Sequence, residues 1–120
     1  MAVCDVCFRH CGIPEGKRGY CGARTSEGGI VVPVNYGLIS SAALDPIEKK
    51  PLKRFCPGSV IFSVGSFGCN LSCPFCQNHE ISHPEGPEAP EEMCRRAAPE
   101  ELVRAALRLR DKGNIGIAFT

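Results

Sequence analysis

Tryptophan is absent, aromatics are 7 % of the 120 residues, and neither sign of charge dominates. Fourteen Lys and Arg stand against thirteen Asp and Glu, a formal net charge of +1. That balance lacks the basic footprint that nucleic acid or an anionic membrane surface selects, so neither is an expected partner. Apolar runs such as Val60-Ile61-Phe62 are far shorter than the roughly 20 residues that span a bilayer. The start, Met1 to Cys7, carries neither a basic stretch nor an apolar one, so no secretory signal is expected and the expected location is the cytoplasm. What the chain does have is nine cysteines. Seven fall in two tight groups, which in a reducing compartment favours metal over disulfides.

The first group is Cys4, Cys7, Cys11 and Cys21, spaced C-x2-C-x3-C-x9-C among glycines and few aliphatics. Four thiolates suit a closed site, either tetrahedral zinc or an accessory iron–sulfur cluster, and a segment so poor in apolar residues needs such a staple. Lys17-Arg18 sits inside this group, but one basic pair in a nearly neutral chain does not make a nucleic-acid knuckle. Residues 29–44 are rich in β-branched side chains and are read as two short strands, with Pro33 restricting one to an edge. The expected division is a Cys-rich β lobe over residues 1–56 and a second unit over 57–120.

Ser59 to Gly65 is a short β-branched apolar run, read as a buried strand. It feeds directly into the second group, Cys69, Cys73 and Cys76. Three thiolates spaced C-x3-C-x2-C on one loop can hold three corners of a cubane cluster. The fourth iron is then open to an exogenous ligand. A zinc site completed by His79 or His83 is the competing reading. Residues 83–99, rich in proline and glutamate, are read as a surface linker. Pro99, Glu100 and Glu101 then open a helix whose apolar face is expected at Leu102, Val103, Ala106 and Leu107, ending at Lys112-Gly113. Ile115 to Phe119 is a second strand, so that strand, linker, helix and strand form a βαβ unit with a parallel crossover. The fold class is therefore α/β. A parallel sheet of two strands leaves most of a sheet unbuilt, so the chain is expected to be a truncated N-terminal portion. Outside both groups, Cys56 is read as a small buried hydrophobe and Cys94 as an exposed linker thiol.

Cys69-x3-Cys73-x-Phe75-Cys76 after an apolar strand resembles the signature of the radical S-adenosylmethionine (SAM) superfamily. The likeness widens through Gly68-Cys69-Asn70-Leu71-Ser72-Cys73-Pro74-Phe75-Cys76-Gln77-Asn78, Leu44-Asp45-Pro46-Ile47-Glu48-Lys49-Lys50-Pro51-Leu52 and Gly113-Asn114-Ile115-Gly116-Ile117-Ala118-Phe119-Thr120. Together these resemble the radical SAM enzymes of the AmmeMemoRadiSam system, related to pyruvate formate-lyase activating enzymes. His79, where relatives carry tryptophan, and Cys56, where an aromatic or His precedes Pro-Gly, depart from that pattern.

The resemblance implies that residues 57–120 begin a partial (β/α) radical SAM barrel. It implies that Cys69, Cys73 and Cys76 hold a [4Fe-4S] cluster whose open iron chelates SAM. Reductive cleavage would then give a 5′-deoxyadenosyl radical for hydrogen abstraction, with glycyl-radical activation as the nearest parallel. Phe75 and Asn78 fall at positions near the bound SAM. An electron donor such as flavodoxin or ferredoxin is implied, and the substrate, small molecule or protein, is not. Since the family's strands continue past Thr120, this chain alone is expected to be inactive. Two other classes fit the residues without the resemblance: a zinc-ribbon interaction module using both cysteine groups, and a small ferredoxin-like electron carrier.

Overall fold

The computed structural model describes residues 1–83 and 90–120. Its backbone is a mixed α/β arrangement with one three-stranded sheet and three two-stranded ladders. The N-terminal lobe begins with β1 (Ala2–Val3) paired antiparallel to β2 (Gly12–Ile13), in register Ala2 to Ile13 and Val3 to Gly12. Next comes a hairpin of β3 (Arg24–Glu27) and β4 (Ile30–Pro33). Its two-residue turn is Gly28-Gly29, with φ of +59° and +78°, the left-handed pair that a tight hairpin turn requires. Glu15 fastens that turn, its carboxylate accepting the N–H groups of Gly28 at 2.6 Å and Gly29 at 3.3 Å. These bonds favour the charged form and hold the Glu15 pKa below its ordinary value.

The larger sheet runs in the order β6 (Ser41–Pro46), β7 (Val60–Gly65), β9 (Asn114–Phe119). β7 is antiparallel to β6 and parallel to β9, and between β7 and β9 runs helix α2 (Pro99–Arg108). The expected strand, helix, parallel-strand unit is therefore present. The division expected near Cys56 falls within the β6–β7 hairpin: Ser41–Pro46 comes from the stretch assigned to the first lobe, yet pairs along its length with β7. Ile47, fully buried in a short 3-10 turn after β6, closes this hairpin, its N–H donating to the Ser59 carbonyl at 3.0 Å.

Three strands, not two, form within 29–44 and its continuation: β4, β5 (Leu38–Ile39) and β6. β5 pairs with β8 (Arg95–Arg96), so the C-terminal end of the expected linker is tied back to the lobe. The rest of the linker reading, at residues 84–89, lies outside the described residues. The helix face is also corrected. Leu102, Ala105, Ala106 and Leu109 are half-buried, whereas Val103 and Leu107 are 51 % and 56 % exposed. The buried stripe thus follows spacing of three and four residues rather than neighbouring pairs. Ala98 offers no capping oxygen, but the Glu101 carboxylate reaches back to its N–H at 2.7 Å, half of a capping box.

Asn114 joins all three parts of the crossover. The register between β7 and β9 slips between Val60 and Phe62, and the Asn114 side chain fills the break. Its Oδ1 accepts the Phe62 N–H at 2.8 Å, while its Nδ2 donates to the Ala106 carbonyl in α2 at 2.9 Å. Asn114→Ala leaves a buried N–H unpaired and should cost about 1–3 kcal/mol, read as a lower urea midpoint with an unchanged slope.

Acid should act through the same sheet. Lys49 above all, with Lys50, holds the Asp45 carboxyl at about 2, below its ordinary 3.8. The folded state therefore binds the carboxylate's proton less readily than the unfolded chain. The stabilisation is complete above roughly pH 4 and is lost as pH falls toward roughly 2. Melting temperatures followed over this window should fall less steeply for Asp45→Asn than for the natural sequence.

Candidate functional site

β7 ends at Gly65, and residues 66–78 form an irregular loop at its carboxyl end, beside the end of β9, where the Thr120 N–H donates to the Val64 carbonyl at 2.9 Å. Loops at the carboxyl ends of parallel strands are where α/β folds place ligands. The second cysteine group sits on this loop. The Cys76 N–H donates to the Cys73 carbonyl at 3.2 Å, so Cys73-Pro74-Phe75-Cys76 is a β-turn with proline at its favoured second position. That turn brings the Cys73 and Cys76 backbones together and puts Phe75 at the apex, 83 % exposed. Cys69 stands at the other end of the loop, with the Leu71 N–H directed at its sulfur at 3.4 Å. Asn78 precedes the single turn α1 (His79–Ser82). Its carbonyl, not its side chain, takes the N–H groups of Ile81 and Ser82.

Among the described residues the loop has no strand partner, and other segments bond to its backbone. The Asn35 amide donates to the Phe67 carbonyl at 3.1 Å, and Arg9 Nε donates to the Asn70 carbonyl at 2.6 Å. His83 Nε2 meets the Leu71 carbonyl. A carbonyl only accepts, so that nitrogen carries a proton and is not free to ligate a metal. The Gly68 N–H donates to the Ile81 carbonyl at 2.8 Å.

The first cysteine group lies against this loop. Cys4 continues the β1–β2 ladder: its N–H donates to the Cys11 carbonyl at 2.9 Å, one step beyond the Val3 and Gly12 pair. Cys4 and Cys11 are therefore cross-strand neighbours. Cys7 opens a turn closed by the His10 N–H to the Cys7 carbonyl at 3.3 Å, and Phe8 in that turn is 67 % exposed. Gly19 sits against Ile13 and Cys11, where an added Cβ would stand 3.0 Å from the Ile13 Cδ1 and 3.6 Å from the Cys11 Cβ, two residues before Cys21. Cys4 is buried, and Cys7, Cys11 and Cys21 are intermediate.

All nine cysteines are free thiols. Among the described residues, no three Cys, His, Asp or Glu side chains converge as they stand on a metal position. The sequence grouping is thus reproduced at the level of backbone, with two turns and one facing pair, and not as a closed cage. The donor set of the second group, three thiols on one loop beside a turn of fixed geometry, fits a cluster with three protein ligands. His83 spends Nε2 on the Leu71 carbonyl, which leaves Nδ1 as the ring atom able to ligate.

Sequence reasoning missed the residues that hold the two groups together. The Arg9 guanidinium lies 3.4 Å from the Tyr20 ring centroid, and the Tyr20 and His83 rings meet edge to face at 5.3 Å. Arg9 stands between Cys7 and Cys11 and Tyr20 next to Cys21, so position within the cysteine spacing was the signal available. Cys56 and Cys94 exchange their expected roles. Cys56 is exposed with φ of +42°. Cys94 is half-buried against a small cavity with Phe67, Ile81 and Met93, and burial pushes its thiol pKa up, a poor setting for a nucleophile.

An uncharacterized protein of Methanocaldococcus jannaschii is 45 % identical to this chain over 105 residues, covering 88 % of the chain and 31 % of that protein. The chain thus spans about a third of the length of the curated relative it matches. No family model and no solved structure matches. Among the described residues, no helix is long and apolar enough to cross a membrane.

Gly68 is the tightest point of the site. Its φ is +94°, and an added Cβ would stand 2.6 Å from the Cys21 carbonyl oxygen and 2.8 Å from the Ala23 Cβ. Gly58, with φ of +78°, has nothing within 4 Å of such an atom. Gly58→Ala should therefore cost only the backbone strain, about 1 kcal/mol. Gly68→Ala should cost about 3 kcal/mol, strain and displacement together, a difference that paired urea titrations would read directly.

Proposed function

We propose that this chain is the cluster-bearing part of a radical SAM enzyme, in which Cys69, Cys73 and Cys76 ligate a [4Fe-4S] cluster. The observation that carries this is the number and placement of the thiols: three, on one loop, at the carboxyl end of a strand paired parallel to the next. When bound and reduced, the cluster supplies one electron to the sulfonium of SAM, breaking a carbon–sulfur bond to give methionine and a 5′-deoxyadenosyl radical that takes hydrogen from a substrate.

The residues present have definable parts in this. The Cys73–Cys76 turn fixes the spacing of two ligands, and Pro74 stiffens it. The Leu71 N–H directed at the Cys69 sulfur at 3.4 Å orients that side chain on the loop. Phe75 offers an exposed aromatic face beside the ligands, suited to the adenine ring, and Asn78 follows within reach of the same loop. The reading places the protein in the cytoplasm, where thiols stay reduced, with a flavodoxin or ferredoxin as electron donor. The full activity belongs to a longer chain of the length the relative has.

The test is anaerobic reconstitution with iron and sulfide, followed by metal analysis and electron paramagnetic resonance of the dithionite-reduced protein with and without SAM. The expected result is a [4Fe-4S]+ signal that shifts when SAM is added and disappears in Cys69→Ala. Four-thiolate behaviour with no response to SAM would point instead to an electron carrier. Zinc without iron, in this chain and in the longer protein alike, would point to an interaction module.

A further inference from the structure

We infer that Cys4, Cys7, Cys11 and Cys21 bind a single zinc ion, and that this zinc sets the second cysteine loop in place through Arg9. The first half rests on the register of β1 and β2. Cys4 and Cys11 face each other across an antiparallel pair, where Cβ atoms stand about 4.5–5.5 Å apart. Two sulfurs on one tetrahedral zinc, each at roughly 2.3 Å, lie roughly 3.8 Å apart, within easy rotation of such a pair.

Cys7 opens a turn in the connection between the two strands, and Cys21 follows two residues after Gly19, which sits against Ile13 and Cys11. The side chains of the four do not yet converge as they stand, so ligation gathers them. The lobe supports a structural ion in another way. Its buried apolar residues are small or few, Ala2, Cys4, Ile13 and Ala23, so ligation supplies the cohesion that packing lacks.

The second half rests on where the lobe's contacts land. Arg9 lies in the chain between two of the four ligands, and its Nε donates to the Asn70 carbonyl, between Cys69 and Cys73. Tyr20, next to Cys21, carries the Arg9 guanidinium on its face and the His83 ring at its edge, and His83 bonds the Leu71 carbonyl. The Cys21 carbonyl itself abuts Gly68. Fixing the four thiols on one ion fixes Arg9, Tyr20 and the Cys21 carbonyl together, and each of these bears on residues 68–71. Arg9 and Tyr20 are positioning residues. The zinc half stands whether or not the second loop takes iron, and the coupling half concerns the order of that loop in either case.

The test removes the second group from the measurement. The full chain carrying Cys69→Ser, Cys73→Ser and Cys76→Ser is purified anaerobically without added iron. One zinc per chain is expected, replaceable by cobalt(II) with the visible bands of a tetrahedral thiolate site, and lost when Cys11→Ser is added. Amide hydrogen exchange over residues 66–72 should quicken roughly tenfold when a chelator strips the zinc, the loss of one bond to a charged donor. Arg9→Ala should keep its zinc and show the same quickening, so that the coupling remains readable even if zinc-free protein unfolds. Iron and sulfide bound at the first group in place of zinc, or no metal there, overturns the site. Unchanged exchange over 66–72 in zinc-loaded Arg9→Ala overturns the coupling.

Discussion

The loop that carries Cys69, Cys73 and Cys76 owes its shape to the satisfaction of its backbone carbonyls. Among the described residues no strand pairs with residues 66–71, and the oxygens of Phe67, Asn70 and Leu71 find side-chain donors from three distant places, Asn35, Arg9 and His83. An unpaired buried carbonyl costs on the order of 1–3 kcal/mol, so the Asn35 and Arg9 contacts, both part-buried, spare the loop that penalty, while the His83 contact is exposed. Gly68 completes the arrangement, because the absence of a side chain lets the Cys21 carbonyl approach where any Cβ would block it. The geometry of one thiol group is therefore written partly in residues that belong to the other.

The two halves of the molecule are held by different forces. Around β7 the core is conventional, with Phe62, Val64 and Ile47 buried, and Phe67 buried beside Ile81 and Met93. Apolar burial of this kind is worth about 1.5–3 kcal/mol for each large side chain. The N-terminal ladders are two residues and four residues long and rely on polar ties. Glu15 fastens the glycine turn, the Thr25 hydroxyl donates to the Lys17 carbonyl at 2.9 Å, and Arg18 bridges to Glu91, 73 positions along the chain. Ties of this sort hold a shape once formed and drive its formation weakly.

This difference explains what could be read from the sequence. β7, α2 and β9 were legible because each carries its own signal: a β-branched run, a proline and two glutamates at a helix start, a second apolar run. The two cysteine turns were legible in part, because Cys73-Pro74-Phe75-Cys76 carries a proline at the second position of its turn. β6 was not, since Ser-Ala-Ala-Leu-Asp-Pro has little intrinsic preference for a strand and becomes one only by pairing with β7. β1, β2, β5 and β8 are two residues each, too short for periodicity to register. The Gly28-Gly29 turn does carry a hairpin signal, and β3 was recoverable from it. The stripe on α2 was misplaced because neighbouring apolar pairs look alike in sequence, while packing selects positions three and four apart. The clamp of Arg9, Tyr20 and His83 spans more than sixty positions of chain, and nothing local announces it.

The two thiol groups also share a local design and differ in one respect that matters for chemistry. Each contains a four-residue turn that opens on a cysteine, Cys7 to His10 and Cys73 to Cys76, and each leaves a phenylalanine exposed within it. In the first, the turn sits at the end of a hairpin whose facing positions supply two more thiols, and a fourth arrives at Cys21, so the ligand count can close around an ion and exclude other ligands. In the second, the turn lies on a loop at a strand end with one further thiol, and the nearby imidazole of His83 is held by a carbonyl. A closed set favours stability and an open one favours exchange with an outside ligand. On the proposed reading the closed set supports the open one that takes an outside ligand, and the Arg9 bond to the Asn70 carbonyl is the contact that would carry that support.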